Sequence, residues 1–282
     1  MIIDKVSVDG LIGFNDEFHK YFFIEESKRN LQFKSATQIA KGFQPEFPLE
    51  ERSLKTAQDM GITQQQVKDK WKQAGIEASI DGTYIHSILE HLALNGMPVT
   101  LTRWHPKLTG AFQFYEDYII STKYNKPVYK VVNCEQILYY LDDTRDAYFA
   151  GQRDIMLEEI STGRLLSIDY KSSKSIKYES YYNNGSKEYL KGSFSFLENC
   201  NYNTFTIQLN LYKLFDTTYN DYARKKAEQG LYDMYICHIT ETGYSMIKVD
   251  DLDIEYSKET GEFISNKQKL KVAANLSRFL LD

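Results

Sequence analysis

The chain has 282 residues, enough for one large domain or two small ones around a substantial core. Mean hydropathy is −0.49, no apolar run approaches the length of a bilayer span, and MIIDKVSVDG lacks a basic-then-apolar leader, so a soluble cytoplasmic protein is expected. The net charge of −5 counts against a protein coated with nucleic acid over a broad basic surface, but not against an enzyme with a local basic channel.

In chain order, Phe18 to Ile24 and Leu31 to Phe33 read as strands flanking a polar turn, and Ser35 is suited to cap a short helix through Lys41. Leu49 to Met60 and Thr63 to Ala74 read as helices ending near Gly61 and Gly75. A further helix is predicted from Ser79 or Gly82 to Leu94, and another from Pro106 to Lys123. Three β-rich runs follow: Val128–Leu141, Ala147–Glu159 and Arg164–Lys171. After a polar stretch, Ser172–Asn203, come a long helix to about Gln229, strands over Tyr232–Ile239 and Tyr244–Val249, and a C-terminal helix from Lys258 or Ser265. This order argues for an α/β protein with a mixed sheet.

The segment Ile168-Asp169-Tyr170-Lys171 places an acid and a lysine on one face of a strand, because side chains alternate along it. Upstream, Gly151-Gln152-Arg153-Asp154 lies on the strand joined to it through the turn around Ser161-Thr162-Gly163. Carboxylates and an ammonium on paired strands suit a hard divalent cation and phosphodiester chemistry. A surface Asp–Lys pair on an ordinary hairpin would look the same locally. Parity tests a shared site: Asp154 shares the face of Asp169 and Lys171 only if the loop has an even number of residues or a bulge corrects the register, a loop over Ile160–Gly163 putting it opposite Asp169 and one of only Thr162-Gly163 opposite Lys171.

The motifs GTYIHSILE, Glu135, AGQRD, IDYKSSK and QLNLY, in that order, favour the metal reading. Over Gly82 to Tyr212 the chain resembles the RecB-like branch of the PD-(D/E)XK nuclease superfamily, in particular its phage exonucleases. It is more distantly similar to the mitochondrial genome-maintenance exonuclease and the CRISPR adaptation nucleases. FNDEFHKYFF also resembles the opening of phage members. The resemblance implies a restriction-endonuclease-like core over residues 76–282, a central mixed β-sheet flanked by helices. Residues 1–75 would then form an N-terminal extension of a small strand pair and helices.

His86 and Glu90 share one helical face, with Ile85, Ile88, Leu89 and Leu92 on the apolar side. The resemblance implies that His86 is a metal ligand, which makes Mn²⁺ a good substitute for Mg²⁺; the alternative is a surface histidine paired with Glu90. A metalloprotease reading fails, because His91 lies about 140° around the helix from His86. Asp154 and Asp169 are implied as catalytic metal ligands, with the Tyr170 carbonyl as a third oxygen and Lys171 as the catalytic lysine. Glu135 matches a recurring acid that serves either as a hydrogen-bond partner or in catalysis, and Glu90 gives active-site support. Gln208 and Tyr212, one helical turn apart, are implied to touch DNA or to orient the lysine and a phosphate; two core residues satisfied internally is the plainer alternative. Lys174, Lys177, Lys187 and Lys191, interleaved with aromatics such as Tyr181 and Tyr182, would suit a single-strand channel or form a solvated loop.

Arg153-Asp154 stands where the superfamily's name has Pro-Asp, a departure common in this branch. Cys134, Cys200 and Cys237 are scattered, so no iron–sulfur cluster is expected, and without a Walker A sequence no ATP site. The expected activity is a Mg²⁺- or Mn²⁺-dependent deoxyribonuclease, an exonuclease of phage or bacterial DNA recombination, repair or replication. It would work on single-stranded DNA or DNA ends, beside a helicase, recombinase or single-strand-binding protein, with no membrane partner. The rivals are a non-cutting DNA-binding module with the same fold and a structure-specific endonuclease.

Overall fold

The computed structural model describes residues 3–180, 182–183 and 186–267. Tyr181, the Tyr182 side chain and the part of the predicted C-terminal helix beyond residue 267 lie outside the described residues.

The chain opens with an antiparallel meander, β1 (Lys5–Val6), β2 (Ile12–Asn15) and β3 (Lys20–Phe23). The expected pairing of residues 18–24 with 31–33 is replaced: β3 pairs with β2, and β4 (Phe33–Ser35) joins the main sheet. Ser35 caps α1 (Ala36–Gly42), its side chain accepting from the Gln38 amide while Gln38 reaches back to Ser35. α2 (Leu49–Met60) ends on Gly61, whose φ of 63° is the left-handed cap that glycine provides without strain.

α3 (Gln64–Asn95) is one helix of 32 residues where two were predicted, and the expected division after residue 75 falls inside it. A glycine within a helix costs about 1 kcal/mol. That is too little to end a helix started by a Thr63–Gln66 capping box and anchored by buried Ile85, Leu89 and Leu92. α4 (Leu108–Phe114) continues as one π-helical turn and gives way to a small hairpin, β5 (Thr122–Lys123) and β6 (Lys126–Pro127).

β7 (Tyr129–Asp142), β8 (Ala147–Glu159) and β9 (Arg164–Lys171) fall where alternation predicted them. The polar stretch carries a short pair, β10 (Tyr182–Asn183) and β11 (Ser186–Lys187), and is pinned to the body by buried Leu190 and Phe194. The long helix predicted next is two, α5 (Asn201–Tyr219) and α6 (Asp221–Glu228). Asn220 leaves helical geometry between them and caps the amides of Tyr222 and Ala223. β12 (Tyr232–Ile239) and β13 (Tyr244–Lys248) follow. Where the C-terminal helix was expected to begin, β14 (Ile254–Ser257) and β15 (Glu262–Ser265) form a hairpin turned by Gly261 at φ 74° and buried through Tyr256 and Phe263.

The main sheet runs β13-β12-β9-β8-β4, with β7 along the other edge of β8. β12 is parallel to β9 and β4 to β8, and the remaining pairs are antiparallel, so the sheet is mixed. α3 and α4 cover one face over Ile155, Leu157, Ile168 and Tyr170, and α5 covers the other over Phe149, Met156 and Leu165. No helix among the described residues is long and apolar enough to cross a membrane.

Candidate active site

The two edge partners of β8 leave a gap. β4 pairs with Tyr148 to Ala150 and β9 with Ile155 to Glu159, so residues 151–154 face a fork between them. The β8–β9 loop spans Ile160 to Gly163, and its register, Ile155↔Ile168, carries Asp154 across from Asp169. That is the register of the four-residue loop.

Alternation along β8 slips at this point. Phe149, Gly151 and Arg153 face α5, and so does Met156, three residues further on; Ile155 and Leu157 face α3. β7 slips alongside it. Gln136 and Asn133 both reach Arg153, and between them Glu135 adopts φ 51°, a left-handed conformation that costs a side-chain-bearing residue about 1 kcal/mol or more. By the same register Glu135 stands opposite Asp154. The two slipped residues are therefore the carboxylates that meet His86.

One ligand atom each from His86 of α3, Glu135 of β7 and Asp154 of β8 lie within 4.8 Å of one another. His86 Nδ1 is 3.3 Å from Asp154 Oδ1, and Asp154 Oδ2 accepts the Tyr170 amide at 2.5 Å. The surface pairing of His86 with Glu90 does not form; Glu90 instead holds Lys5 at 3.3 Å, and the same ammonium lies 3.2 Å from Glu135. Lys5, on β1, is a site residue that the motifs did not reveal. Nothing in its local sequence marks it, since only the meander's docking against β7 brings it there.

Asp169, expected from sequence as a ligand, is outside that triad. Lys171, two residues along the same face of β9, forms an ion pair with Asp169, and Gln208 Nε2 approaches Asp169 at 3.4 Å. Gln208 Oε1 accepts from Lys171 at 3.4 Å and its amide donates to Tyr212 at 2.7 Å. Gln208 and Tyr212 are 5% and 3% exposed, and Gln208 is bonded to Lys171, Asp169 and Tyr212. The Tyr212 ring fills the space left by Gly151, where a Cβ would sit 2.3 Å from Tyr212 Cε1. Gly151→Ala is expected to cost about 1–3 kcal/mol by overpacking and to disturb Gln208 with it; urea unfolding and cleavage assays would check both.

Electrostatics follow from burial. Burial disfavours the imidazolium of His86, but Asp154 overcomes this and lifts it to about 9. Burial also opposes ionisation of Asp154, yet His86 and Lys171 hold its pKa below the usual value. Glu135 is raised to about 7 by burial and by Asp154, with Lys5 opposing. Asp169 is raised to about 6, burial and Asp154 outweighing Lys171. An imidazole with two converging carboxylates, beside a third, is a donor set that fits Mn²⁺ or Mg²⁺.

Of the predicted basic stretch, Lys174, Lys177 and Lys191 are exposed, while Lys187 forms an ion pair with Glu198 at 2.5 Å. The chain matches no family model and no curated protein sequence.

Proposed function

We propose that this protein is a divalent-metal-dependent nuclease that hydrolyses phosphodiester bonds in DNA. The observation that carries the reading is the convergence of His86, Glu135 and Asp154 within 4.8 Å in the fork, beside the Asp169–Lys171 ion pair. His86, Glu135 and Asp154 would hold the cation. When bound, it would polarise a phosphate oxygen and lower the pKa of a coordinated water. Asp169, ionised above about 6, accepts a proton from an attacking water. Lys171 places its ammonium on the nucleophile or on the charge developing at phosphorus, and Gln208 holds that ammonium in place. Exonuclease action, in phage or bacterial recombination, repair or replication, rests on the order of the motifs. Digestion of labelled linear and circular DNA with Mg²⁺, Mn²⁺ or EDTA tests the reading. Cleavage of linear DNA that EDTA stops is expected. Intact DNA and RNA in both metals would overturn it.

Metal affinity carries a pH signature. Ligands must be free of protons, and in the metal-free protein His86 keeps its proton up to about 9 and Glu135 up to about 7. Binding at pH 7 therefore expels protons, and affinity rises as pH climbs toward 9. Titration calorimetry with Mn²⁺ in buffers of different ionisation enthalpy should find about one to two protons released at pH 7.

A further inference from the structure

On the flank of α3 away from His86, the loop of residues 102–107 reads Thr-Arg-Trp-His-Pro-Lys and is fastened through Arg103, His105 and Lys107. Arg103 donates to Asp81 at 2.6 Å and stacks over the Tyr84 ring at 5.0 Å, and its carbonyl accepts the Tyr84 hydroxyl at 2.5 Å. His105 Nε2 lies 3.4 Å from the same Asp81, while its Nδ1 accepts the Lys107 amide at 3.2 Å. Lys107 reaches across to the Ser172 carbonyl at 2.5 Å, the residue next to Lys171. α3 also passes close by at Gly82, where a Cβ would be in ordinary contact with Ser172 Oγ at 3.4 Å. Amid these anchors Trp104 is 66% exposed. An indole on a fixed loop has already lost the freedom that binding would otherwise remove. The loop itself is tied to the end of the strand that carries Asp169 and Lys171. Beside it a cleft of about 280 Å³, lined by Tyr84, Ser87, Val99, Thr100 and Thr102, offers hydroxyls next to an aromatic wall.

We infer that this loop is the platform that grips a single strand of nucleic acid beside the cleavage site, Trp104 stacking on a base while Arg103 and Lys107 meet the backbone phosphates. The inference deepens the nuclease reading and rests on it for the identity of the ligand. The chemistry is complementary: an exposed π-face, which any base can stack on, flanked by two cations. Its link to the candidate site is the Lys107–Ser172 bond, one residue beyond Lys171 where β9 ends.

The two tryptophans make the test direct. Trp71→Phe leaves Trp104 as the sole indole. In EDTA, where nothing is cut, a twelve-residue oligothymidylate is expected to quench its emission, and inorganic phosphate is not. Trp104→Ala should weaken oligothymidylate binding about tenfold and Trp104→Phe should recover most of it, both with unchanged melting temperature. Unquenched emission, or unchanged affinity in Trp104→Ala, would overturn the inference and leave cleavage of DNA unaffected. Quenching in a protein that cuts no nucleic acid would sustain the platform while the nuclease reading fell.

Discussion

Lys171→Met should lose at least about a hundred- to a thousandfold in kcat while still binding metal, because the ammonium pairs with Asp169 and is not one of the three converging donors. Asp154→Asn should fail differently. It removes a ligand and the partner that holds His86, so Mn²⁺ affinity falls along with turnover. A second consequence separates loss of chemistry from loss of fold. Lys171 is the main influence holding Asp169 down, so without it the Asp169 pKa climbs above its present value of about 6. Residual activity then has its acid limb displaced to higher pH. Stability moves with it: an acid whose folded pKa lies above its unfolded value destabilises the fold as pH rises from the unfolded pKa through the folded one. The variant should therefore melt closer to wild type at pH 5 than at pH 8. A flat pH profile in both measurements would show that Lys171 and Asp169 do not act on each other.

The largest expected loss of stability lies at Asp216. It meets Arg153 at 2.6 Å with both side chains almost wholly buried, and Arg153 also bonds Tyr232 at 3.0 Å, Asn133 at 3.0 Å and Gln136. One guanidinium thus joins β7, β8, β12 and α5. Asp216→Ala strands that charge inside the protein, at a cost of about 3–5 kcal/mol. The double variant Arg153→Met, Asp216→Leu should recover most of this in urea unfolding, since paired apolar replacements leave no uncompensated charge. Recovery of stability without recovery of cleavage would show what the ion pair does besides hold the fold. It keeps the strand slip in register, and with it the aim of Asp154. If Asp216→Ala alone unfolds like wild type, the guanidinium has another acceptor.

Most of the site was legible from strand periodicity and motif order. β8 and β9 begin and end where alternation put them, and the four-residue loop fixed Asp154 across from Asp169. His86 reached the site because it occupies the helix flank that meets β8. Alternation put Asp169 and Lys171 on one face, where they pair; what it could not carry was the slip at Glu135 and Asp154, where two strands break alternation together and bring Glu135 to Asp154 and His86. Lys5 and the Arg103–Lys107 loop were invisible for a different reason. Each is brought to its place by tertiary contact with an element distant in sequence, Lys5 with Glu135 and Lys107 with Ser172. The misplaced helix ends have local causes: Gly75 was too weak a stop, and Asn220 capped a new helix where the pattern ran on.

Glu135 has a bearing on how such a protein would evolve. At φ 51° a glycine would sit more comfortably, and asparagine nearly so. In a lineage that kept the fold only as a scaffold, glycine there would relieve the backbone while giving up the Lys5 ion pair. An acid at that position is what the proposed metal chemistry would require. If the proposed metal chemistry is right, a relative with glycine at this site would lack one of the three converging donors and would be expected to hold nucleic acid without cutting it.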